Sequence, residues 1–146
     1  MSGETNLEVL IATLRPELHA SPYVFCAIPR GDLDALAFDP LCRFHEREGV
    51  TVIVTREQAT LKGLPFEGEW AWITLTAHSS LHAVGLLAAV TVSLARAGIS
   101  ANPVSAYHHD HLFVPWESRE AAMEVLEELS RSTKGGDSSS GVPPSR

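Results

Sequence analysis

The sequence predicts an α+β fold in which an antiparallel sheet is backed by helices, and three observations carry that reading. Residues 70–76, Trp-Ala-Trp-Ile-Thr-Leu-Thr, run almost continuously apolar, as a central strand covered by other layers does. Residues 81–97 are apolar almost all round and stop at Gly98, which describes a buried helix with a left-handed C′ residue. Residues 99–107 and 111–115 are extended in character, and the segment after them places Ala122, Val125, Leu126 and Leu129 at the 3.6-residue period. The order is β-α-β-β-α, and right-handed crossovers turn it into a ferredoxin-like module.

Each element has a local reason. Ser79 or Ser80 supplies an N-cap for the 81–97 helix. Tyr107-His108-His109-Asp110 is polar enough to connect a hairpin, and Pro115 ends the ladder by removing a donor. Ser118 caps the last helix, whose Glu120, Glu124, Glu127 and Glu128 face solvent. Residues 131–146, rich in Ser, Gly and Pro with Val142 as their one large aliphatic side chain, cannot offset their ordering entropy and read as a disordered tail.

The first half carries similar parts. Residues 7–14 suit a short helix or strand stopped by Arg15-Pro16, and residues 23–28 form a strand. Residues 41–45 and 50–54 flank a turn in which Gly49 accepts positive φ, giving a hairpin with a bulge. Thr55-Arg56-Glu57-Gln58 is a capping box that opens a two-turn helix closed by Gly63. Segments 51–62 and 72–84 echo one another, each a strand ending in Thr before a capped helix. The expected organisation is a shortened N-terminal unit at 1–68, a second unit at 69–130 and the tail. The second unit supplies only three of the four strands its sheet needs, so the fourth comes from the first half.

Eighteen acidic against eleven basic side chains give a net charge of −7, which repels phosphate backbones, offers no attraction to anionic lipid and argues against nucleic-acid and membrane partners. Residues 81–97 contain His82, Ser93 and Arg96 and fall short of the roughly 20 apolar residues of a membrane span. The polar start, residues 1–6, lacks a signal-peptide pattern, so a cytoplasmic location is expected. Cys26 and Cys42 have no metal-type spacing, and Cys26 lies in an apolar run as a buried thiol.

The motif His78-Ser79-Ser80-Leu81-His82-Ala83-Val84-Gly85-Leu86, with Ala97-Gly98-Ile99-Ser100-Ala101-Asn102 and His109-Asp110-His111-Leu112-Phe113-Val114-Pro115-Trp116, resembles the small bacterial ACT domain-containing proteins. Tyr23-Val24-Phe25-Cys26 and Glu48-Gly49-Val50-Thr51-Val52-Ile53-Val54 extend the resemblance over residues 7–130. It implies two ACT-like units in one chain, a layout similar to the castor-type arginine sensors of animals. It also implies a non-enzymatic regulatory or sensor role, with an amino acid or similar metabolite bound where the loop after a unit's first strand meets a neighbouring unit, within the chain or across a homodimer. That loop is residues 77–85 here, and the candidate ligand residues are His78, Ser79, Ser80, Leu81, Val84 and Gly85. The second-strand residues Ala101, Asn102 and Val104 are implied to face such a loop. Free amides at a helix start attract a carboxylate, and Asp110 suits an ammonium group or an Asx turn. No cofactor is expected.

Two alternatives stand beside this reading. One is an assembly module that extends a sheet with a partner and has lost its ligand. The other is a metal-binding protein or enzyme using His108, His109, Asp110 and His111, with His78 and His82 as a further i, i+4 pair. On a strand, however, His109 and His111 point one way and His108 and Asp110 the other, and no nucleophile signature accompanies them. Trp70, Trp72 and Trp116 read as core or interface aromatics.

Overall fold

The computed structural model describes residues 3–135. Within these residues six antiparallel strands form one sheet: β1 (Pro16–Ile28), β2 (Cys42–His45), β3 (Val50–Thr55), β4 (Trp70–Leu75), β5 (Asn102–Ser105) and β6 (Asp110–Pro115), in the order β2-β3-β1-β4-β6-β5. Among the described residues four helices accompany it, α1 (Leu7–Ala12), α2 (Arg56–Leu61), α3 (Leu86–Arg96) and α4 (Arg119–Gly135). A 3-10 segment (Arg30–Leu36) follows β1.

The centre of the sheet explains how the two halves join. One end of β1 pairs with β3 from Tyr23↔Thr55 to Ile28↔Val50, and the other pairs with β4 through Pro16↔Leu75 to Leu18↔Ile73. β1 therefore supplies the strand that completes β4-β6-β5, and β4 does the same for β2-β3-β1. Each half is a ferredoxin-like unit closed by the first strand of the other. The register shifts between Leu18 and Pro22, so Pro22 sits at a bulge, where a missing donor costs least.

Alternation sorts the sheet's side chains onto two faces. Ala71, Ile73, Leu75, Leu112 and Val114 pack with Leu10, Leu14, Val90, Leu94, Ala122 and Leu126 of the helices. Val24, Cys26, Ile28, Val50, Val52 and Val54 pack with Leu36 and Ala59 in a second cluster. The opposite face carries Tyr23, Phe25, Trp70, Trp72 and Phe113, which meet edge to face at 5.4–6.4 Å between ring centroids.

Several elements follow their local signals. Thr55 and Gln58 form the reciprocal capping box, Gly63 takes positive φ, and the β2–β3 hairpin closes with His45↔Val50. Other expectations are corrected. α3 begins at Leu86, not residue 81, and its N-cap is Gly85 at φ +97° with no side-chain cap, so neither Ser79 nor Ser80 caps it. α4 is entered from a 3-10 turn (Trp116–Ser118), in place of a Ser118 side-chain cap. It continues to Gly135, so residues 131–135 are helical; residues 136–146 of the expected tail lie outside the described residues. β5 is four residues long, shorter than the extended run 99–107. In the sheet the counterpart of β3–α2 is β6–α4, so the 51–62 and 72–84 echo does not join equivalent elements. No helix among the described residues is long and apolar enough to cross a membrane.

Candidate functional site

The segment between β4 and α3 is shaped by a strap from the chain's start. Glu4 N–H donates to the His78 carbonyl at 2.9 Å, and Ser80 N–H donates to the Glu4 carbonyl at 2.9 Å. Gly3 lies so close that a Cβ there would fall 2.5 Å from Ser80 N. The amides of Asn6 and Thr5 hold the Glu4 carboxyl below the usual carboxylate range. Bound to this strap, residues 78–80 are not free to join a helix, which is why α3 starts late.

The loop continues through a turn in which Ser80 Oγ accepts from His82 N–H at 3.1 Å and the Ser80 carbonyl accepts from Ala83 N–H at 3.0 Å. Gly85 then aims the helix. Its carbonyl accepts the first helical bond, from Ala89 N–H at 2.9 Å, while the amides of Leu86, Leu87 and Ala88 meet no acceptor among the described residues. Three free N–H groups and the positive end of the helix dipole thus point out of one turn.

The residues that carry these amides border a cleft of about 140 Å³ whose walls include Ser79, Ser80, Leu81, Ala83, Ser105 and Asp110. Asp110 is 8 % exposed, and Ser79 Oγ, itself on an 8 % exposed residue, donates to Asp110 Oδ2 at 3.4 Å. Asp110 opens β6 opposite both Leu75 and Ser105, so its backbone is held from two strands. A buried carboxylate with one long hydroxyl bond stands in the same cleft as an uncapped helix start. Negative and positive ends are both present, separated by small and apolar walls.

The structure gathers some of the sequence candidates and not others. Ser79, Ser80, Leu81, Gly85 and Asp110 line the cleft. His78 is exposed and borders a neighbouring cleft with Gly3, His82 and Tyr107. Val84 is 82 % exposed and outside the cleft, and Ala101 packs against the helix-side core. Asn102 and Val104 stand opposite Phe113 and His111 on the aromatic face, away from the loop, because alternation places Ser105 on the cleft side. Ser105, Ala83 and Leu86–Ala88 also line the cleft; a helix start at Leu86 exposes the last three, whereas Ser105 arrives only through its pairing with Asp110.

The histidines divide between environments. The His78 ring lies 5.7 Å from His108 and 6.2 Å from His109 between centroids, and His109 Nδ1 is 3.4 Å from the Ala77 carbonyl. His111 instead joins the aromatic face, where its ring accepts from Trp72 Nε1–H. Among the described residues no group of three or more His, Cys, Asp or Glu side chains is disposed to hold a metal ion. Burial lowers the His111 and His19 pKa values, with His109 and His19 adding to the effect on His111 and Asp110 opposing it.

Family models described as ACT domain match residues 2–84 and residues 67–128. The chain belongs to the ACT-domain family. ACT domains are small-molecule regulatory modules. A Vibrio cholerae protein of unknown function, described as a possible transport protein, shares 42 % identity with this ACT chain at a TM-score of 0.77, covering 85 % of this chain and 95 % of that one. An Agrobacterium tumefaciens protein, Atu0741, aligns at TM-score 0.66 and 15 % identity over 79 % of this chain and 87 % of its own. The regulatory subunit of aspartate kinase from Thermus flavus aligns at TM-score 0.57 and 12 % identity over 78 % and 95 %. The last two share the fold. No curated protein matches the chain.

Proposed function

We propose that this ACT protein is a non-enzymatic sensor of a small free α-amino acid, bound in the cleft between the start of α3 and Asp110. The observation that carries the reading is the pairing of three uncapped amides with a buried carboxylate around one cleft. A zwitterion matches both ends: its carboxylate meets the Leu86–Ala88 amides and helix dipole, and its ammonium meets Asp110. Size narrows the class. A cavity of roughly 150 Å³ accepts a molecule of about six non-hydrogen atoms such as benzene. At about 140 Å³ the cleft suits an amino acid with a short, uncharged side chain.

Binding at this junction tightens the loop, the N-terminal strap and α3 together, and passes to a partner by changing the relation between ACT units in the chain or in a homodimer. The test is a thermal-shift series with the twenty amino acids. A ligand at 100 times its dissociation constant stabilises the folded state by about 2.7 kcal/mol. Small neutral amino acids should raise Tm. No shift with any amino acid at saturation rules the reading out.

A further inference from the structure

Leu41 and Cys42 belong to one edge of the sheet and Val104 and Ala106 to the other, yet all four line a single cavity of about 180 Å³. Neighbouring strands lie about 4.8 Å apart, so in a flat sheet of this order the two edges would be roughly 24 Å from one another. The sheet therefore curls, and its aromatic face becomes the inside of an incomplete barrel. Phe113 is 2 % exposed there although no helix among the described residues packs on that face. The cavity is the gap left between β2 and β5.

Its floor is built. The His19 ring stacks on Trp72 at 3.5 Å between centroids with an 11° interplanar angle, and Tyr23 packs edge-on against Trp72 at 5.5 Å. Trp72 Nε1–H donates to His111 Nδ1 at 3.0 Å. Thr74 Oγ1 lies 3.1 Å from the same nitrogen and 2.8 Å from His19 Nε2. An indole N–H only donates, so His111 Nδ1 is an acceptor and the neutral ring carries its proton on Nε2. That Nε2–H has no hydrogen-bond partner among the described residues, and no buried side-chain nitrogen or oxygen there lacks one. The group is accessible, and His111 lines the cavity.

We propose that this gap is a second ligand site, which takes a small, uncharged ring compound bearing one hydrogen-bond acceptor, received by His111 Nε2–H. Apart from His111 and the Cys42 thiol the walls are apolar, formed by Leu41, Trp72, Val104, Ala106 and Phe113. Among the described residues no charged side chain lines the gap, so a zwitterion meets no counter-charge from them. That separates its ligand class from that of the Asp110 cleft. The two sites are back to back: Ser105 and Asp110 face the helices, while Val104 and His111, their neighbours in sequence, face the gap.

The test is titration of the full chain, labelled with ¹⁵N, with cyclohexanone as the probe. A saturable shift of the His111 side-chain nitrogen is expected, together with slower alkylation of Cys42 by iodoacetamide; Cys26 is buried and does not compete. Ala106→Phe fills the gap and should weaken the probe at least tenfold while the fold and any amino-acid thermal shift persist. Should that variant not fold, Leu41→Trp blocks the same opening from the other edge. Absence of saturation, binding that survives the blocking variant, or saturation that leaves the His111 nitrogen unmoved overturns the proposal. Loss of the amino-acid response alone would bear only on the Asp110 cleft.

Discussion

Asp110 is a buried carboxyl residue, and among the described residues its one side-chain partner is the 3.4 Å hydroxyl bond from Ser79. If it holds a ligand ammonium, Asp110→Asn keeps the shape and removes the attraction. Truncating one side of a buried charge pair costs about 2 kcal/mol or more, roughly thirtyfold in Kd. Calorimetry with the amino acid that raises Tm should show that loss while the variant stays folded; unchanged affinity would place the ammonium elsewhere. His111 and His19 contribute to the pH response. Burial lowers both folded-state pKa values below the unfolded histidine value of about 6.5. Below that value the unfolded chain binds more protons than the folded one, so stability is complete above pH 6.5 and falls as pH drops through the lowered folded values. Melting curves from pH 8 to 5 should show this decline, and His111→Gln should flatten it. A Tm that rises toward pH 5 would contradict the burial of the two rings.

Gly85 controls the geometry of the helix start. Its φ of +97° suits glycine, and a Cβ there would approach Leu7 Cδ2 at 3.2 Å. Gly85→Ala should destabilise the protein by about 1 kcal/mol through backbone strain, read as a lower Tm. It should also weaken the amino acid more than the stability loss predicts, because the Leu86–Ala88 amides turn away from the cleft. Equal affinity in the variant would mean that the helix start does not hold the ligand. The element scale also shows where local patterns were legible. Thr55 and Gln58 make their capping box from four consecutive residues, and Gly49 turns the hairpin beside it. The run 81–85 is as apolar as a helix start, but Glu4, more than seventy positions earlier, takes the His78 carbonyl and the Ser80 N–H. α4 outlasts its apolar pattern for a similar reason: Ser130 Oγ donates to the Ala12 carbonyl at 3.0 Å, tying the helix to α1.

At the scale of the whole molecule, β1 and β4 are exchanged between the two halves. Residues 69–130 lack the strand that covers one side of β4, and residues 1–68 lack the strand that covers β1. Neither half should therefore fold alone. Each expressed separately is expected to show no cooperative thermal transition by circular dichroism, and mixing the two should restore one. A half that melts cooperatively by itself would mean that the shared β1–β4 pairing is dispensable.

The local chemistry of the chain determined its element types, the helix-facing and opposite faces of the strands, and the family. Periodicity, caps and turn residues act over a few positions, so they are written in neighbouring letters. Tertiary structure decided what depends on distant partners. It set the late start of α3 under the Glu4 strap and placed Ser105 rather than Asn102 or Val104 beside Asp110. It sent His111 to the aromatic face, and it curled the sheet until its two edges shared a cavity. The candidate cleft was half legible for the same reason: Ser79, Ser80, Leu81 and Gly85 belong to one loop, whereas Asp110 and Ser105 reach it only through strand pairing.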